Sequence, residues 1–199
     1  MTVVVRKASA DDGSRLVAAL ARAFDDDPVM RWLLPSDRAR ARQLRTIFRL
    51  ELRYLHLPND QVYTTSEVSG GALWAPPHAW RMPPARLARA LPRLVLTLGL
   101  RLPAAMRSLS AIERLHPSEP HWYLALLGTE PAWQGKGVGS ALLAPVLDRC
   151  DRDGVPAYLE SSKQSNIAFY ARHGFEVTGT VDLPGGGPRM WPMWREPRA

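Results

Sequence analysis

Three glycines at alternate positions, Gly135, Gly137 and Gly139, lie between an apolar stretch and an amphipathic one, interleaved with Gln134, Lys136, Val138 and Ser140. Glycines let backbone N–H groups come close to an oxyanion that any Cβ would hold away, and Lys136 adds a mobile positive charge. The chemistry that suits this is phosphate binding. Two well-known phosphate loops are excluded by spacing. A P-loop needs Ser or Thr after its Gly-Lys pair and an earlier glycine five positions before that pair; here Gly137 follows Lys136 and Glu130 fills the earlier slot. A dinucleotide loop needs its third glycine three positions after the second, and Gly139 is only two beyond Gly137.

The flanking elements must position this loop. His121 to Leu127 is apolar or aromatic and too short for a helix, and Trp122 and Tyr123 favour a strand. Behind the loop, Leu142, Leu143, Val146, Leu147 and Cys150 fall at i, i+1, i+4, i+5 and i+8, one face of a helix. Pro145 inside it predicts a kink. Strand, loop, helix is the order that puts the positive end of a helix dipole at the carboxyl end of a strand.

The segment Gln134-Gly-Lys-Gly137-Val-Gly139 resembles the Gln/Arg-x-x-Gly-x-Gly/Ala loop of the GNAT N-acetyltransferase superfamily, which binds the pyrophosphate of acetyl-CoA. A second block, Tyr158 to Phe175, resembles the strand and helix that follow in that family, including Asn166-x-x-x-Tyr170 and Gly174-Phe175. From His121 to Arg195 the likeness is nearest to the puromycin N-acetyltransferases and their relatives. The resemblance implies an α/β (α+β) GNAT fold, with a mixed, mostly antiparallel sheet splayed between its two middle strands and flanked by helices. It implies acetyl-CoA as co-substrate and direct transfer to the primary amine of a small molecule, an antibiotic among the candidates. A protein or peptide amine, or a non-catalytic acyl-CoA sensor, is the alternative.

The resemblance also assigns roles. Leu127, Gly128 and Thr129 would line the splay, the N–H of Leu127 or Thr129 facing the thioester oxygen, while Gln134, Gly135, Lys136, Gly137, Val138, Gly139 and Ser140 would hold the pyrophosphate. Asn166 would bond the pantetheine arm; a helix N-cap is its competing role. Tyr170, four residues on and hence on the same helix face, would protonate the departing thiolate, or else only fill the groove. Glu160 closes its strand near the splay and is the candidate base, against a plain surface carboxylate. Asp26, Asp27, Glu67 and His121 are weaker alternatives, and Asp26 and Asp27 could bind a cationic acceptor.

At 199 residues, 46% of them hydrophobic, the chain reads as one domain with a core of its own. The net charge of +7 suits coenzyme A as well as nucleic acid or an acidic membrane, but the arginines are dispersed, so neither a nucleic-acid nor a membrane partner is expected. The single cysteine, Cys150, excludes an internal disulfide, and no signal-peptide pattern opens the chain, so the expected compartment is cytoplasmic. Leu91 to Met106 is apolar but interrupted by Pro92, Arg93, Arg101 and Pro103, too broken to span a bilayer. The five histidines are scattered without metal spacing, so no metal is expected. A monomer or homodimer is expected.

Elsewhere the pattern predicts a strand at Val3–Arg6, a helix with Leu16, Val17, Leu20 and Phe24 buried, and a short apolar piece from Val29 to Leu34. A long helix should start at Ser36 and run to about Leu57, followed by a strand pair at Gln61–Thr65 and Gly70–Ala75. Residues 78–118 read as a helical insertion of two or three helices separated by prolines, serving as pocket wall or lid. Strands follow at Val155–Glu160, Val177–Leu183 and Arg189–Arg195, with a short helix at Asn166–His173 ended by Gly174.

Overall fold

The strands of the sheet are β1 (Val5–Lys7), β2 (Val62–Thr65), β3 (Gly70–Ala75), β4 (Trp122–Thr129), β5 (Ala157–Ser161), β6 (Glu176–Val177), β7 (Val181–Asp182) and β8 (Arg189–Arg195) in the computed structural model, which describes residues 3–198. Their order is β1-β2-β3-β4-β5-β8-β6, with β7 also on β8. All pairs are antiparallel except β4–β5. That parallel pair holds register only over Trp122–Leu124 and Ala157–Leu159. Beyond it β4 follows β3 to Thr129 and β5 follows β8 to Ser161, so a gap opens between the two middle strands. The splayed mixed sheet expected from the resemblance is present.

On one face α1 (Gly13–Ala23) buries Leu16, Val17 and Leu20 against β3 and β4, after which α2 (Pro28–Leu33) and α3 (Asp37–Glu51) close that side. The Asp27 carboxylate starts α2 by accepting from the N–H groups of Val29 and Met30. Ser36 stands at the N-cap of α3, and the helix continues through a π-turn, Leu52–His56. The insertion supplies α4 (Pro84–Leu98) and α5 (Leu102–Leu115). On the other face lie α6 (Val138–Asp153) and α7 (Ile167–Arg172), with Leu142, Leu143, Val146 and Cys150 fully buried under α6.

Some boundaries differ from expectation, for local reasons. The first strand is Val5–Lys7 rather than Val3–Arg6. The insertion breaks at Gly99, whose φ of +50° suits glycine, and not at Pro92, which lies inside α4. Pro92 frees the carbonyl of Ala88, and Ala88 is exposed, so water can take that bond. Helix α6 likewise runs on through Pro145. The strand expected at Val177–Leu183 is split into β6 and β7, both paired to β8. Pro84–Leu115 contains an 18-residue stretch with a mean hydropathy of 1.2, apolar enough to pass for a membrane span. Its break at Gly99 leaves α4 with 15 residues, about 22 Å of helix against a bilayer core of about 30 Å.

Candidate active site

Gly137 is the N-cap of α6, with φ +79°, and Gly135 has φ +73°. A Cβ at either would meet no heavy atom within 4 Å, so the backbone there opens onto free space at a helix N-terminus. Gly139 differs: its backbone is ordinary, and a Cβ would stand 3.2 Å from the Phe169 ring, so packing against α7 sets that glycine. Lys136 Nζ donates to the Ala132 carbonyl (2.8 Å) and lies over the Trp133 ring. Gln134 Nε2 donates to the Thr129 carbonyl (3.2 Å), tying loop to strand, while Val138 is buried beneath the helix start. Ser140 Oγ shares a 2.9 Å hydrogen bond with His173 Nε2.

The phase of β4 follows from one bond. The Glu130 N–H donates to the Ser69 carbonyl (2.9 Å), on the β3 side. Backbone groups alternate direction along a strand, so the Gly128 N–H also faces β3, whereas those of Leu127 and Thr129 face the gap. Gly128, expected in the binding set, borders the gap but directs its N–H away from it. A Cβ on Gly128 would come 2.9 Å from Leu20, 3.0 Å from Phe24 and 3.1 Å from Ala23; this glycine lets α1 lie close on the sheet.

A cavity of about 540 Å³ runs along the gap and touches the loop, Leu127, Thr129, Asn166, Tyr170, Asp27 and Glu160. Asn166 is exposed, at the N-cap position of α7, and its side chain makes no capping bond. Tyr170 is held by the end of α7: Phe175 N–H donates to the Tyr170 carbonyl (3.2 Å) and Gly174 N–H to that of Ala171 (2.9 Å), with Gly174 at φ +87°. Among the described residues no group hydrogen-bonds the Tyr170 hydroxyl. Burial, and secondly the charge of Asp27, push this phenol well above its usual range, so it keeps its proton at neutral pH. Asp27 is itself buried, which raises its carboxyl, and it accepts from the Ser162 hydroxyl. Asp26 pairs with Lys163 in solvent, and Glu67 sits exposed in the β2–β3 turn; neither lines this cavity.

Glu160 is no surface carboxylate. Its side chain is 4% exposed, and Oε2 accepts from the Tyr123 hydroxyl (2.8 Å). Around it stand His116, His121 and Tyr158, with Trp80 stacked on His116 at 3.6 Å between ring centres. His121 enters this group as a neighbour of His116 (Nε2 to Nε2, 2.9 Å). Sequence reasoning missed Tyr123, Trp80 and His116. For Tyr123 a signal existed, since the parallel pairing of the two middle strands sets it beside Tyr158. For Trp80 and His116 none did, because the course of the insertion decides where they land.

Comparisons with known proteins agree with this geometry. A protein from Schizosaccharomyces pombe described as an uncharacterised N-acetyltransferase is 27% identical over 196 residues, covering 91% of this chain and 77% of its own. Among solved structures, a Corynebacterium glutamicum protein described as histone acetyltransferase HPA2 and related acetyltransferase superposes with a TM-score of 0.77 at 28% identity, covering 100% of this chain and 98% of that one. Arylalkylamine N-acetyltransferase 2 of Aedes aegypti shares the fold at a TM-score of 0.59 and 9% identity, with 100% of both chains covered. The profile of the Acetyltransferase (GNAT) family matches residues 73–175, half of the chain, and takes in the glycine loop, the gap and α7. The chain belongs to the GNAT acetyltransferase family.

Proposed function

We propose that the protein is an acetyl-CoA-dependent N-acetyltransferase acting on the primary amine of a small molecule. The observation that carries this reading is the gap between β4 and β5, which joins a glycine-lined helix N-terminus to Tyr170 and Glu160 through one cavity. Bound acetyl-CoA would supply the acetyl thioester. The chain's residues fit it: Gly135 and Gly137 leave open space where a Cβ would stand, at the positive end of the 16-residue α6.

In this reading the backbone from Gln134 to Ser140 holds the pyrophosphate and the Asn166 amide bonds the pantetheine arm. The N–H groups of Leu127 and Thr129 face the carbonyl oxygen as charge develops on it. The Tyr170 hydroxyl holds the proton that a departing thiolate takes, and Glu160 accepts the proton of the attacking ammonium, directly or through a water. Asp27 and Glu160 are the two carboxylates among the residues lining the cavity, and they favour a cationic acceptor. The aromatic residues closing the Glu160 side favour a compact one.

The likeness of residues 121–195 to the puromycin N-acetyltransferases extends the proposal to an aminoacyl-type amine. The C. glutamicum relative's description, which names a histone acetyltransferase, favours a protein or peptide amine as the second reading. The test is free-thiol release from acetyl-CoA across a panel of small amines, with a basic histone-like peptide in parallel. Turnover of small amines without turnover of peptide supports the first reading; the reverse overturns it.

A further inference from the structure

We propose that His116, carried in by the helical insertion, is the relay that receives the acceptor's proton from Glu160. This rests on Glu160 being the base and goes beyond it, because His116 does not line the cavity and acts only through Glu160.

The tautomers follow from the partners. His121 Nδ1 lies 2.6 Å from the Glu119 carbonyl, and a carbonyl only accepts, so the proton of neutral His121 is on Nδ1 and its Nε2 is bare. His121 Nε2 and His116 Nε2 are 2.9 Å apart, so His116 must donate from Nε2. Neutral His116 is then bare at Nδ1. That atom is buried without a partner, 3.8 Å from Glu160 Oε1, which is also buried without a partner. The other carboxylate oxygen is already engaged by Tyr123.

Two unpartnered lone pairs facing each other away from water are costly, and one proton between them removes both defects. With His116 neutral and Glu160 ionised, the carboxylate–imidazole pair has room for one proton. It takes up that proton when the ammonium N–H breaks: an O–H bond forms on the Glu160 carboxyl group, then breaks as an N–H bond forms on His116 Nδ1, leaving carboxylate and imidazolium paired. About 1 Å of closure brings the two atoms to hydrogen-bond distance. The Trp80 ring, stacked at 3.6 Å and 25°, offers its π-face to the resulting cation. Tyr123 and Tyr158 meet the His116 ring edgewise, His121 lies beyond it, and the charges of His78 and Glu51 act on the same cluster. Burial lowers His121 from its usual range and keeps it a neutral acceptor.

The test is kinetic and spectroscopic. For His116→Gln we expect kcat to fall about ten-fold or more below pH 8, with the KM for acetyl-CoA unchanged. The loss should shrink at high pH and with weakly basic amines, which arrive already neutral. In a Glu160→Gln background the same substitution should cost nothing further. Equal losses at every pH and for every amine, or full additivity with Glu160→Gln, would overturn the relay. If His116→Gln does not fold, imidazole 15N shifts of the unaltered protein decide: the Nδ1–H tautomer of His121 with the Nε2–H tautomer of His116 is required, and the opposite assignment refutes the proposal. Those shifts need no turnover. An inactive amine panel would thus count against the acetyltransferase reading while the tautomers are judged separately.

Discussion

Tyr170 and Gly128 illustrate how a residue's neighbours decide its work. The phenol of Tyr170 keeps its proton because burial and Asp27 disfavour phenolate. It therefore should not titrate in the working range, and any rise of activity between pH 6 and 9 belongs to another group. Tyr170→Phe removes the hydroxyl proton but keeps the ring among its packing partners. We expect kcat to fall roughly 10²-fold with acetyl-CoA affinity nearly unchanged. The loss should be smaller for an acyl donor whose thiol has a lower pKa, since a better leaving group needs less help. Rapid-quench kinetics with two such donors checks this; equal losses for both would remove Tyr170 as the acid. Gly128 makes the opposite case. It lies beside the gap but faces β3, and only the closeness of α1 demands glycine. Gly128→Ala should lower stability by about 1–3 kcal/mol through overpacking, measured by denaturant unfolding, while the folded fraction keeps its acetyl-CoA affinity.

At the scale of elements, the unit from β4 through the loop to α6 was legible because each part carries its own local signal. An apolar run, glycines at alternate positions and a helical stripe follow one another in sequence, and the folded chain keeps that order. The end of α7 at Gly174 was legible for the same reason. What local pattern does not encode is where a long insertion lands, so the arrival of Trp80 and His116 beside Glu160 could not be read. Nor could it tell whether Pro92 or Gly99 breaks the helix: Pro92 does not, because the residue whose carbonyl it frees is exposed, and Gly99 does. The loop's own test separates its glycines. Gly137 is left-handed and open, so Gly137→Val should both strain the N-cap and obstruct an incoming phosphate, weakening acetyl-CoA binding ten-fold or more, about 1.4 kcal/mol. Isothermal calorimetry on the folded variant checks it; unchanged affinity would withdraw the phosphate assignment.

The whole molecule carries its charge as dispersed arginines, which implies that acetyl-CoA should raise the melting temperature by mass action while duplex DNA at physiological salt should not. Two groups of opposite sign at the C-terminal end of the α3 helix, Glu51 and the buried His56, pull its acid stability in opposite directions. Burial drives the Glu51 carboxyl up from 4.5 to about 7, so folding is penalised above pH 7 and the penalty disappears as pH falls toward 4.5. Burial drives His56 down from 6.5 to about 4, so stability present above pH 6.5 is lost as pH falls toward 4. Each shift corresponds to about 3 kcal/mol at most, and the two windows nearly coincide. Across pH 7 to 4.5 these contributions offset one another in the intact protein. Single substitutions should expose them. Glu51→Gln should stabilise the protein at pH 8 and steepen its loss on acidification, whereas His56→Phe, if it packs, should flatten the same limb. Urea unfolding at pH 8, 6 and 4.5 measures both slopes. A Glu51→Gln variant whose stability difference from the parent does not change with pH would show that this carboxyl ionises alike in the folded and unfolded chains.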